Sequence, residues 1–212
     1  MEQMSNNIER RTFAVELRAA DDDTRSVEGY AAVYNSESNT LGWFTEVIEP
    51  GAFRDALERS PDIVALYNHD ENMVLGRRSA GTLEVNEDDT GLRYRIPELP
   101  KSREDVYEAI KRGDVSKSSF AFTIAAGGDK WEELDGKTVR TITKFDRIYD
   151  VSPVVYPAYS DTSVAKRSFD IWAKQVKEEK TNGKADSKYN EEELRAYYDK
   201  LETTRERMKE FF

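Results

Sequence analysis

Cysteine is absent from this 212-residue chain, and histidine occurs once, as His69. Without cysteine there is no disulfide, no zinc-thiolate site and no thiol nucleophile, and a reducing cytoplasm is the expected setting. No apolar run approaches the ~20 residues needed to cross a bilayer, so no membrane association is expected. The first residues, Met1 to Asn7, lack the charged-then-apolar pattern of a signal peptide. Basic residues are outnumbered, 32 lysines and arginines against 42 aspartates and glutamates, for a net charge of -10. A nucleic-acid partner calls for a basic face that neutralises phosphates, and this balance argues against one.

What is present is a polar chain, 38% hydrophobic and 35% charged, with most of its apolar residues in short strand-like runs. Arg11 to Leu17 alternates, with Phe13, Val15 and Leu17 on one face; Ser26 to Tyr34 and Trp43 to Ile48 are further strand candidates. Pro50-Gly51 breaks the pattern before a short helix over Ala52 to Arg59. Ile63 to Tyr67 is an apolar run that places His69 at a strand end. Thr82 to Val85 and Leu92 to Ile96 flank Asp88-Asp89-Thr90-Gly91, a hairpin signal. Ser102 is the expected N-cap of a helix from Arg103 to Lys111 that stops at Gly113. Ser116 to Ile124, two runs around Asp135-Gly136, and Phe145 to Val155 complete the strands. The pattern predicts a mainly β fold with a few helices (α+β), a closed or nearly closed antiparallel β-barrel decorated by helices.

Composition divides the chain into three. Residues 1–9 read as a disordered N-terminus and residues 10–167 as the barrel domain. Residues 168–212 read as a charged linker and an amphipathic helical tail, with Leu194, Tyr197, Tyr198, Leu201 and Met208 roughly along one stripe.

A lone imidazole directs attention to proton transfer. Ser116, Ser118 and Ser119 stand in one strand-like run, and Asp146 and Asp150 in another. Such a trio forms a nucleophilic triad only if folding brings it together, since triads are defined by geometry. By alternation Ser118 points with Phe120 and Phe122, so Ser119 faces away from that core and is the more accessible hydroxyl. Alternation likewise groups Asp146, Ile148, Asp150 and Ser152 on one face and Arg147, Tyr149 and Val151 on the other. Asp150 lies in an apolar stretch, where a lone carboxylate needs a partner. A histidine N–H, Arg147, Arg140 or a backbone amide would each serve. Asp70 reads as a turn or strand-cap residue. No Gly-x-Ser-x-Gly elbow surrounds Ser119, which argues against a small-ester hydrolase of that type.

Three blocks in order carry a resemblance: Leu66-Tyr67-Asn68-His69-Asp70, Ser118-Ser119-Phe120-Ala121-Phe122, and Tyr149-Asp150-Val151-Ser152-Pro153 running on to Tyr159. Together with Glu28 to Tyr34 and Glu46 to Phe53, they resemble the prohead serine proteases of tailed bacteriophages over roughly residues 10 to 167. The resemblance implies a fold similar to the herpesvirus assemblin proteases, a β-barrel wrapped by helices with His and Ser on neighbouring strands. It implies a Ser-His-Asp triad of Ser119 as nucleophile, His69 as base and Asp150 as orienting acid, with Asp146 as a rival for the third place. Ser118 and Ala121 depart from the Met and Gly often found there, which leaves open which serine attacks. No metal or cofactor is implied. The implied substrates are the scaffolding region of the major capsid protein, other internal prohead proteins and the protease itself, inside the prohead in the host cytoplasm. A non-catalytic β-barrel module of prohead assembly is the alternative.

Overall fold

The structure is a computed structural model that describes residues 8–13, 17–19, 24–36, 44–60, 62–134, 137–156, 165 and 168–174. It begins with β1 (Glu9–Phe13), β2 (Leu17–Ala19), β3 (Val27–Val33) and β4 (Phe44–Ile48), followed by helix α1 (Arg54–Arg59). Next come β5 (Val64–Tyr67), β6 (Asp70–Arg77), β7 (Glu84–Glu87), β8 (Gly91–Ile96) and helix α2 (Glu104–Lys111). The last four strands are β9 (Lys117–Ile124), β10 (Asp129–Leu134), β11 (Lys137–Ile142) and β12 (Phe145–Val154). The chain is mostly β with few helices, as the apolar patterning predicts.

The strands form three sheets, in the orders β1-β9-β12-β5-β6, β2-β3-β8-β7 and β10-β11-β4. Among the described residues these ladders do not join into a closed barrel. Nor are they antiparallel throughout, because β4 pairs with β11 and β5 with β12 in parallel. The hairpins read from sequence are local and antiparallel, whereas these two pairs join strands far apart in the chain, where no turn signal reports the direction. The predicted strand from Arg11 to Leu17 is also divided: β1 and β2 belong to different sheets.

Turn chemistry explains the β7–β8 hairpin. The Asp88 carboxylate accepts from the backbone N–H of Thr90 at 2.8 Å and of Gly91 at 3.1 Å, closing an Asx turn. Gly91 is required by packing, since a Cβ there would lie 2.1 Å from the Ala32 carbonyl oxygen. Helix α2 buries Val106, Tyr107 and Ile110. It is entered through a 3-10 turn at Lys101–Arg103 rather than through a Ser102 side-chain cap.

The main core is aromatic. Phe53 stacks on Phe145 with centroids 4.4 Å apart, and Phe120 and Phe122 meet both sides of that pair's neighbourhood, Phe120 against Phe53 and Phe122 against Phe145. Burying such side chains is the principal stabilisation of a fold of this size. A second, smaller cluster packs Phe44, Trp131, Ala165, Phe169 and Ala173. The stretch assigned from sequence to the tail therefore begins with a packed helix: 168–174 are helical, Phe169 and Ala173 are buried, and Phe169 meets Trp131 with centroids 5.2 Å apart. The rest of that tail, Lys166-Arg167, Asp135-Gly136 and residues 1–7 lie outside the described residues.

Between the sheets lies a buried ion cluster. Arg11 on β1 binds Glu46 on β4 through Nε at 2.9 Å and Glu9 through Nη2 at 2.5 Å. Arg140 on β11 reaches Glu9 at 2.8 Å, Glu46 at 3.1 Å and Asp129 on β10 at 2.9 Å. Ser168 donates to Asp129 at 2.7 Å and accepts from the Trp131 indole N–H at 3.1 Å, which ties in the C-terminal helix. Burial alone pushes the Arg11 and Arg140 guanidinium groups down, but Glu46 and Glu9 outweigh it and hold both above the usual arginine value.

Candidate active site

His69 is not at the end of a strand but inside a two-residue turn. Tyr67 pairs with Asp70, and the two residues between them, Asn68 and His69, have φ of 54° and 58°. Two successive positive φ values are what a type I′ hairpin turn needs, and without glycine such a turn carries strain on the order of 1–3 kcal/mol per residue. Asn68 offsets it by docking the turn onto β12: its N–H donates to the Pro153 carbonyl at 3.0 Å, and its side-chain oxygen accepts from the Val155 N–H at 3.0 Å. Asp70 begins the return strand and accepts from the Asn72 backbone N–H at 2.9 Å, a turn role as read from sequence.

From this turn the imidazole spans two partners. Nδ1 lies 2.6 Å from Asp150 Oδ1, and Nε2 lies 2.7 Å from Ser119 Oγ. The three residues singled out from sequence thus meet in one hydrogen-bonded chain. Ser119 and His69 do not come from neighbouring strands. Strand β12 runs between β9 and β5, and it carries the carboxylate.

The two serines are separated by strand parity. Ser118 faces the core, where its hydroxyl and that of Tyr94 are 2.8 Å apart and both are buried. Burial holds the Tyr94 phenol well above its usual value, against the opposing effect of the Ser118 hydrogen bond. Ser119 is turned to the other face, as alternation predicts, but it is fully buried and not the accessible hydroxyl expected.

The acid strand departs from simple alternation. A register shift falls between Ile148 and Asp150: Ile148 pairs with Phe122 and Asp150 with Ala121. An extra residue at such a bulge reverses parity, so two residues that alternation puts on one face end on opposite faces. Ile148 therefore lies in the core with Val151, while Asp150 and Ser152 face the imidazole. Asp146, the rival carboxylate, is exposed and lies 3.5 Å from Arg59.

Sequence reasoning missed two residues here. Asn68 holds the histidine turn, and an Asn before a short polar return was the available signal. Ser152 donates to Asp150 Oδ1 at 2.6 Å and lies 3.3 Å from His69 Nδ1; its place two residues beyond Asp150 on one strand was the signal for it. Among the described residues no group of histidines and carboxylates has the arrangement of a metal site. The arrangement can deprotonate a hydroxyl toward Nε2 while a carboxylate balances the imidazolium that results.

Comparison with known proteins gives one finding. A family described as caudovirus prohead serine protease matches residues 13–178, from the end of β1 to beyond the helix at 168–174. No curated protein and no solved structure matches the chain.

Proposed function

The chain belongs to the caudovirus prohead serine protease family, and from that premise we propose that it cleaves peptide bonds by acyl-enzyme chemistry with Ser119, His69 and Asp150 as its triad. The observation that carries the reading is the unbroken chain Ser119 Oγ, His69 Nε2, His69 Nδ1, Asp150 Oδ1, with links of 2.7 and 2.6 Å. Asp150 accepts at Nδ1, so Nε2 presents its lone pair to the Ser119 hydroxyl. Attack of Oγ on the scissile carbonyl carbon passes the hydroxyl proton to Nε2 and forms a tetrahedral oxyanion. Collapse expels the amine, which takes the proton from Nε2 and leaves Ser119 acylated. Water then repeats the sequence, giving its proton to Nε2 and releasing the acid. Asp150 stays ionised throughout and stabilises the imidazolium that forms in each half-reaction.

The substrates in this reading are capsid-related: the scaffolding region of the major capsid protein, internal prohead proteins and the protease itself. The setting is the prohead assembling in the host cytoplasm. Enclosure there raises the effective concentration of enzyme and substrate and so offsets a weak intrinsic activity. We end the protease body after residue 174 and not at 167, because Phe169 and Ala173 are buried against Phe44 and Trp131. A non-catalytic assembly module finds no support in the site, where a strained turn is held in place to aim one imidazole.

Co-expression with the capsid protein, followed by intact-mass measurement, tests the proposal. Wild type is expected to shorten the capsid protein, and Ser119→Ala to lower processing roughly a thousandfold or more. Full processing by Ser119→Ala would exclude the mechanism.

A further inference from the structure

Resting on the triad reading, we propose that Ser152 is a positioning residue that holds the Asp150 carboxylate in the orientation that keeps the proton of His69 on Nδ1. Asp150 Oδ1 receives two donors at the same distance, 2.6 Å: the Nδ1–H of His69 and the hydroxyl of Ser152. The Ser152 oxygen also lies 3.3 Å from Nδ1. A hydroxyl has one proton to give. With that proton committed to Asp150, Ser152 offers Nδ1 only a lone pair. Nδ1 is then faced by two acceptors and must itself bear hydrogen, which leaves Nε2 unprotonated toward Ser119.

The fold arranges this directly. Ser152 pairs with Ser119 across the β9–β12 ladder, so the nucleophile and the positioning hydroxyl lie on one face of neighbouring strands, with the imidazole bonded to both. The bulge after Ile148 turns Asp150 to the same face. Ser152 is fully buried. Asp150 and His69 are its only side-chain partners among the described residues, which a role in packing alone does not require. During turnover Nε2 gains a proton and neither Asp150 nor Ser152 has to turn. The second donor keeps the carboxylate fixed in place while the charge on the ring changes.

The test joins kinetics to nitrogen NMR of protein labelled with ¹⁵N-histidine. His69 is the chain's one imidazole, so its two nitrogens are the whole histidine spectrum. The substrate is a peptide spanning the cleavage site mapped in the co-expressed capsid protein. Wild type is expected to show a single tautomer, protonated at Nδ1. Ser152→Ala removes one oxygen and adds no atom; it should lower kcat by about tenfold or more, leave KM within about twofold, and give a mixture of tautomers. Ser152→Thr keeps the hydroxyl and should keep the single tautomer. An unchanged kcat and spectrum in Ser152→Ala, or a mixed spectrum in Ser152→Thr, would overturn the role. Ser119→Ala separates the two levels of the argument. If Ser119→Ala still cleaves the peptide, the triad itself is wrong; if it is inert while Ser152→Ala is unimpaired, only the assignment of Ser152 falls.

Discussion

Two buried polar networks lie on opposite faces of the five-stranded sheet, and they are built for opposite ends. Glu9 and Arg11 of β1 are register partners of Phe122 and Phe120, so the ion cluster shares the face of the aromatic core. Ser119 and its partners occupy the other face. In the ion cluster three carboxylates surround two guanidinium groups that do not give up protons. The proposed triad together with Ser152 holds one carboxylate, two hydroxyls and an imidazole, and in that reading its charge is created and removed in each cycle. Both networks have their hydrogen bonds satisfied. In that reading, what distinguishes a network that moves a proton from one that joins strands is a single imidazole among its groups.

The comparison breaks most visibly at Asp150. Asp150→Asn should cut kcat by roughly a thousandfold or more, because an amide in that place favours the wrong imidazole tautomer, with the melting temperature little changed. Asp146→Asn should stay near wild type. A dead Asp146→Asn beside an active Asp150→Asn, measured on the same peptide, would reverse the assignment.

Arg140→Met should give the mirror image. It removes the cation that joins Asp129 to Glu9 and Glu46, leaves those two glutamates to Arg11, and should destabilise the fold by about 3–5 kcal/mol in denaturant titrations. Activity per folded molecule should hold within about twofold. Loss of activity without loss of stability would mean that the cluster serves the site directly.

A smaller effect sharpens the difference between adjacent serines. Ser118→Ala strips the buried Tyr94 hydroxyl of its partner and should cost about 1–3 kcal/mol, with processing retained. An inactive but stable Ser118→Ala would shift the nucleophile by one residue.

Acidity separates the networks again. Both guanidinium groups are raised above their usual value, so their contribution to stability is fully present below about pH 12 and is lost only as pH climbs through the raised values. The melting temperature should therefore change little between about pH 6 and 9. Activity should fall on the acid side through one ionisation, since only the neutral imidazole accepts the Ser119 proton. Two acid ionisations in the rate profile would implicate a second base.

The contrast also explains what could be read from sequence. A unique histidine, a serine beside a Phe-x-Phe pair and an aspartate in an apolar strand are local signals, and the three residues they single out lie together in the fold. Parity placed Ser118 inward correctly because β9 is regular through Ser118 to Phe122. It failed on β12, where one extra residue at a bulge leaves no mark in composition. The histidine turn was passed over for a related reason: Asn68 is a turn signal, but Asn68-His69 lacks the glycine that usually follows it. Apart from Glu9 with Arg11 and Asp129 with Arg140, the ion cluster joins residues 35 to 131 positions apart, and nothing at Glu9 or Arg140 alone announces the other. Parallel pairing of β4 with β11 and β5 with β12 is equally non-local.

The position of β12 has a consequence in time. It is the last of the described strands to leave the ribosome, yet it lies at the centre of its sheet, with β9 on one side and β5 on the other. Until it is synthesised, the serine strand and the histidine hairpin have no ladder to bring them into register, and the carboxylate that completes the site does not exist. With the triad proposed above, a nascent chain is consequently inert toward its neighbours on the polysome, and proteolytic competence arrives only with the finished sheet.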